Sequence, residues 1–196
     1  MKICATTLGE TAGDLMAQTM KVGYATSSLI LIGIFVVTLA AQLFSGKYNP
    51  WLYWLVILST STAGTTMSDY MDRTLELGYA KGAMILVSIL MLILLAWKIT
   101  MGTLSVTEVK SRKAECCYWA AILFSNTLGT ALGDFLADDS GLGFAGGALL
   151  IGATIAIITV LYYTTSVSRV LLFWLAFILT RPFGATVGDF LTKSGE

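Results

Sequence analysis

The feature that most constrains this chain is a nine-residue pattern that occurs four times along it. The copies are Thr6-Thr-Leu-Gly-Glu-Thr-Ala-Gly-Asp14, Ser61-Thr-Ala-Gly-Thr-Thr-Met-Ser-Asp69, Asn126-Thr-Leu-Gly-Thr-Ala-Leu-Gly-Asp134 and Arg181-Pro-Phe-Gly-Ala-Thr-Val-Gly-Asp189. A tryptophan stands fifteen residues before the aspartate in three of them, at Trp54, Trp119 and Trp174. Nine residues after it comes Gly-aromatic-Ala, again three times: Gly23-Tyr24-Ala25, Gly78-Tyr79-Ala80 and Gly143-Phe144-Ala145. Two fixed spacings kept across three or four copies define an internal repeat, and a repeat of this kind is one supersecondary unit that buries its apolar surface against its neighbours.

Composition says what surrounds those units. Of 196 residues, 56% are hydrophobic and 12% charged, whereas a soluble domain carries about a quarter of its residues as charge. Val22–Phe44, Met84–Trp97 with its flanks and Gly146–Tyr163 have the apolar character of spans, which need ~20 helical residues. The apolar segments recur to the end of the chain, which is not how a signal peptide reads. The expected fold is therefore an all-α membrane protein of about seven transmembrane helices made from parallel, tandem two-helix repeats. The spans fall near 1–20, 23–45, 51–72, 78–100, 115–137, 143–166 and 168–192, within a single transmembrane domain covering 1–196. The units are approximately 1–46, 51–100, 115–166 and 168–196, the first and last being incomplete. Four complete units would have eight spans, so the chain reads as clipped at both ends or as a seven-helix relative. A homodimer that completes the ring of repeats is the corresponding expectation.

Two helices per unit return the chain to the same side each time, so the repeats are parallel rather than inverted. All four motif aspartates then share one depth. The fifteen residues from each tryptophan correspond to ~22 Å of helix, which places the aspartates past the midplane of a ~30 Å core. Lys47, Lys98, Lys110, Arg112, Lys113 and Arg169 lie on the tryptophan side, against Lys21, Arg73, Lys81 and Lys193 on the aspartate side. The positive-inside rule puts the tryptophan side in the cytoplasm.

Each motif presents two faces at about 100° per residue. Gly9 and Gly13, Gly64 and Ser68, Gly129 and Gly133, and Gly184 and Gly188 form small-residue stripes of the kind that lets helix backbones approach closely in lipid. The other face is polar. Thr7, Glu10 and Asp14 follow an i, i+3, i+7 spacing, as do Thr62, Thr65 and Asp69, and Thr127, Thr130 and Asp134; the fourth copy keeps Asp189 with Pro182 and Ala185. Hydroxyls and carboxylates on one stripe offer only oxygen ligands, which suit hard cations or protons. Ionisable side chains within a bilayer are costly and point to function. Glu10, Asp14, Asp69, Asp134 and Asp189 are thus the candidate cation-binding residues, the four aspartates the candidate metal ligands, and Thr62, Thr65, Thr127 and Thr130 secondary ligands. The competing reading is that each aspartate caps the next helix.

Arg181 is the embedded basic residue and reads as an ion-pair partner of Glu10 or an aspartate, or as the gate or counter-charge that fills the site when no cation is bound. Pro182 should loosen its helix by removing a hydrogen bond. Asp72, Arg73, Glu76, Lys81, Asp138 and Asp139 read as solvated turns or an electronegative vestibule. Trp51, Trp54, Trp119 and Trp174 read as interfacial anchors. Three cysteines and no histidine make neither a disulfide framework nor a good metal set. With no phosphate-binding loop, cofactor motif or nucleophile–base pair, and with a net charge of zero, neither an enzyme, a cofactor nor a nucleic-acid partner is expected.

The quoted motifs, taken with the tryptophan spacing, resemble those of a family of bacterial membrane proteins made of four tandem repeats, each with two transmembrane helices and a characteristic tryptophan. The resemblance covers essentially the whole chain. It implies the architecture and a bacterial inner-membrane location, and it supplies no chemistry, because the family's function is unknown. The reading that follows is a multi-pass transporter or permease, surrounded by lipid, for a hard and possibly divalent cation. Its alternatives are a membrane scaffold without transport and a permease for a small organic solute.

Overall fold

The computed structural model describes residues 1–45, 49–104 and 111–193, and within them the chain forms seven α-helices and no strand. These are α1 (Lys2–Asp14), α2 (Tyr24–Phe44), α3 (Pro50–Asp69), α4 (Tyr79–Met101), α5 (Arg112–Asp134), α6 (Gly143–Thr164) and α7 (Arg169–Lys193). Lys47 and Lys110, two charges used to orient the chain, lie outside the described residues.

The local sequence repeats the same turn three times. After the motif aspartate the helix widens into a π-helical turn at Leu15–Thr19, Tyr70–Thr74 and Phe135–Asp139. The chain then reverses through two left-handed residues: Lys21 and Gly23, Glu76 and Gly78, Gly141 and Gly143. The glycine of Gly-aromatic-Ala is there because φ is +84° at Gly23 and +74° at Gly78, a conformation that costs glycine nothing. Elsewhere the starts are capped by polar side chains. Asn49 accepts from the amides of Trp51 and Leu52 ahead of α3, with Pro50 at the first helical position, and Ser111 accepts from Ala114 ahead of α5. Both arrangements are favoured at helix N-termini.

The motif helices α1, α3, α5 and α7 form an inner ring in which each packs against the next and α1 closes on α7. The outer helices α2, α4 and α6 lie on α3, α5 and α7 respectively. A unit therefore places its outer helix on the inner helix of the following unit. The inner ring closes within one chain through the contact of α1 with α7.

Among the described residues, five helical segments are long and apolar enough to cross a membrane: Tyr24–Phe44, Tyr79–Met101, Arg112–Asp139, Gly143–Thr164 and Arg169–Thr192. Helices α1 and α3 fall below that measure, being rich in Ser, Thr and Gly and, in α1, carrying Lys2, Glu10 and Asp14. The three outer helices are the reverse case. Only 17%, 28% and 17% of their most apolar stretches are buried, against 67% in Arg112–Asp139, so an apolar belt encircles a more polar ring.

The glycine stripes set the ring's spacing by a rule that turns through all four units. A Cβ on the first glycine of each motif would strike the first motif residue of the next helix. It would lie 2.1 Å from Ser61 Oγ at Gly9, 2.9 Å from Asn126 Cβ at Gly64, 2.2 Å from Arg181 Cγ at Gly129 and 2.1 Å from Thr6 Oγ1 at Gly184. One turn on, a Cβ at Gly13 would lie 2.9 Å from Thr65 Cβ, whereas at Gly133 and Gly188 it would meet Ala185 and Glu10 in ordinary contact at 3.4 Å. Pro182 is accommodated inside α7, which runs on to Lys193.

At the tryptophan end the core is aromatic. Trp97, Trp119 and Trp174 are buried, with Trp97 edge-on to Trp174 at 5.8 Å, Tyr118 against Trp119 at 5.2 Å, and the Tyr53 and Tyr118 hydroxyls 3.1 Å apart. Trp119 and Trp174 are thus interior packing residues rather than interfacial anchors, and Trp54 is half-buried beside Tyr53. Trp51 is exposed, as an anchor would be.

Candidate functional site

With the ring in register, motif residues of equal rank meet in layers. The fifth motif positions are Glu10, Thr65, Thr130 and Ala185, all buried, and the guanidinium of Arg181 enters this layer from α7. Arg181 has no exposed surface. Its Nη1 donates to the Thr6 carbonyl at 2.7 Å, its Nε to the Asn126 carbonyl at 3.3 Å and its Nη2 to the Ser61 carbonyl at 3.1 Å. Those three carbonyls belong to the first motif residue of each of the other three units. Nη2 also meets the hydroxyls of Thr65 and of Thr130, the latter at 3.0 Å.

The charge is matched by Glu10, whose Oε2 lies 2.9 Å from Arg181 Nη2. The same oxygen accepts from Thr65 Oγ1 and Thr130 Oγ1, each at 3.1 Å. A buried ion pair stays only when additional hydrogen bonds satisfy both partners, and here α1, α3 and α5 each contribute one or more of them. The expected pairing of Arg181 with Glu10 is what the structure contains.

One turn further along lie the four aspartates. Asp69, Asp134 and Asp189 are buried and Asp14 is half-buried. Asp134 lies within electrostatic reach of Asp69, Glu10 and Asp189, which makes the acids one layer. Within it two groups separate. Glu10, Asp14 and Asp189 bring one carboxylate oxygen each to within 4.8 Å of one another. Asp69 and Asp134 are joined instead by Arg73, 3.2 Å from Asp69 and 3.8 Å from Asp134. The N-cap positions of α2, α4 and α6 are Gly23, Gly78 and Leu142, none of which supplies a side-chain cap.

The threonines divide as well. Thr65 and Thr130 take part in the Arg181 network. Thr62 donates to the Leu58 and Ser59 carbonyls and Thr127 to the Leu123 carbonyl, so both turn back onto their own helices, a common resting place for helical hydroxyls.

Three residues near the site were not anticipated in these roles. Arg73 is an exposed turn residue that also bridges two inner helices, and the i+4 spacing from Asp69 is the sequence signal for half of that. Gln18 repeats the device in the first unit, donating to Asp14 at 2.8 Å. Asp72 is buried against Gly82, with Ser68 donating to it at 3.3 Å. Burial raises its carboxyl above the usual carboxylate range, opposed by the Ser68 hydrogen bond and the Arg73 charge. Glu76, Lys81, Asp138 and Asp139 are exposed, as expected, and Tyr79 donates to Asp138 at 3.2 Å.

A family profile described as a Repeat of Unknown Function (DUF347) matches residues 1–48, 52–103, 117–168 and 172–196. The chain belongs to this family. Each of the first three matched DUF347 blocks spans one inner helix and the outer helix that follows, and the fourth contains α7. No curated protein and no solved structure matches the chain, so the chemistry of this DUF347 protein has to be argued from its own residues.

Proposed function

We propose that this protein is a multi-pass transporter of cations in a bacterial cytoplasmic membrane, with passage along the axis of the inner ring. The observation that carries the reading is Arg181: a whole guanidinium held on the ring axis by oxygens from the other three units and one carboxylate. A site built to stabilise a buried positive charge is a cation site, and Arg181 acts there as the tethered counter-charge. A solute cation reaching the acid layer competes for Glu10, whose carboxylate belongs to both the Arg181 network and the Glu10–Asp14–Asp189 group.

The supporting features are the oxygen-only character of the layer, its position inside a ring of close-packed helices, and the apolar belt outside. Helical spans suit a cytoplasmic membrane, since only helices and closed barrels satisfy their backbones in lipid. Hard cations, including divalent metals, and protons are the ligands such acids favour. Proton coupling would use the same carboxylates, because clustered acids hold protons more tightly than isolated ones.

The test is flux into proteoliposomes for H⁺, Na⁺, K⁺, Mg²⁺ and Mn²⁺. The control is a variant in which Asp14, Asp69, Asp134 and Asp189 are all asparagine. Uptake of one cation by the wild type and its loss in the variant is the expected result. No uptake of any of them by folded wild-type protein would turn the reading toward a scaffold in which Arg181 only locks the ring.

A further inference from the structure

Helix spacing restricts what the Arg181 cage can hold. Three of its acceptors are main-chain carbonyls of helical residues, Thr6, Ser61 and Asn126, at 2.7, 3.1 and 3.3 Å from the guanidinium nitrogens. Such a carbonyl already accepts its own helix's bond and keeps one lone pair for a further N–H. It cannot advance toward the axis unless its helix does.

The helices have no room to advance. At this layer Gly9 abuts Ser61, Gly64 abuts Asn126, Gly129 abuts Arg181 and Gly184 abuts Thr6, so that even a methyl group would overlap in every case. A bare Mg²⁺ needs oxygens at about 2.0–2.1 Å and Ca²⁺ at about 2.3–2.6 Å. Reaching those distances would take roughly half an ångström or more of inward movement from helices already in glycine contact. The charge points the same way: within the cage only Glu10 is acidic, which balances a single positive charge, whereas divalent sites are usually built with more carboxylate.

We infer that the axial cage formed by the Thr6, Ser61 and Asn126 carbonyls, the Thr65 and Thr130 hydroxyls and Glu10 is a recognition site for a monovalent cation bearing N–H donors, of the guanidinium or primary-ammonium class, with Arg181 as its tethered occupant. The inference rests on the cation-transport reading for its role and narrows the transported class. A guanidinium cation reproduces the hydrogen bonds Arg181 makes once that side chain is absent or withdrawn, and a primary ammonium reproduces up to three of them. A dehydrated divalent ion does not.

Two measurements test it. The first uses the full chain with Arg181→Ala in detergent, checked for helix content and monodispersity, and follows binding of radiolabelled guanidinium. Saturable binding that Glu10→Gln reduces at least tenfold, and that Mg²⁺ or Mn²⁺ at equal ionic strength does not displace, is the expected result. A folded R181A protein with no saturable binding, or one whose guanidinium is displaced by the divalent ions first, overturns the inference. The second measurement needs no variant: wild-type proteoliposomes are offered guanidinium, methylammonium, Mg²⁺ and Mn²⁺ separately. Uptake of the organic cations supports the site. Uptake of a divalent ion without either organic cation overturns it while leaving cation transport standing, and uptake of none of the cations counts against both.

Discussion

Arg181 and Glu10 form an ion pair of 2.9 Å at the centre of a ring of four helices, with the side chains 0% and 2% exposed. The pair joins the last motif helix to the first, its neighbour in the ring. Breaking such a pair from one side leaves the other charge buried and uncompensated, which costs about 3–5 kcal/mol. Arg181→Met and Glu10→Gln should each lower the free energy of unfolding in detergent by an amount of that order, read from the shift of the unfolding midpoint. The double variant should lose less than the sum of the two, and strict additivity in that cycle would show that the two residues do not act as a unit.

Gly129→Ala tests the spacing rule. Its new methyl group would stand 2.2 Å from Arg181 Cγ, and overpacking of this kind costs about 1–3 kcal/mol. The same change at Gly33, where a Cβ meets nothing within 4 Å, should leave the melting temperature near wild type. Equal effects at the two positions would show that the ring is looser than its glycines imply.

Arg73 is partly exposed, but its partners Asp69 and Asp134 are buried, with side chains 3% and 5% exposed. Arg73→Ala leaves those two carboxylates without their cation and should lower the melting temperature, by less than Arg181→Met because Arg73 itself reaches solvent. Because it frees Asp69 and Asp134 at the aspartate end, cation uptake at low substrate concentration should rise. A lowered uptake would mean that Arg73 holds the acids in their working geometry.

Asp72 predicts a pH dependence. Its carboxyl is raised in the folded protein, so the neutral form is the one that folding favours. The corresponding stability is present below the unfolded carboxylate pKa and is lost as pH rises through the raised folded value. Thermal stability should fall across that interval in the wild type and vary less in Asp72→Asn. An unchanged slope in the variant would assign the dependence to other groups.

The sequence periodicity was enough to read the parallel units, the common depth of the aspartates and the close approach of the small-residue stripes, because each follows from spacing along one chain. The Arg181–Glu10 pair was readable as one of a few options, since a lone embedded cation must find an acid. What spacing along one helix did not reveal is which helix faces which. Asp134 lies 61 positions beyond Arg73, so only the closed ring shows that they pair. Thr62 and Thr65 sit on one stripe, yet one turns back to its own carbonyls while the other reaches Glu10, a choice made by the neighbouring helix. Trp119 and Trp174 have the character of interface anchors, and it is the packing of Trp97 and Tyr118 around them that makes them interior.

The most direct test of the account is the charge movement that follows addition of a cation to wild-type proteoliposomes on a solid-supported membrane, compared with Glu10→Gln. A cation-dependent current that saturates with concentration in the wild type and is absent from the variant is the expected result. A folded wild-type protein that gives no current with any cation, or an unchanged current in Glu10→Gln, would contradict it.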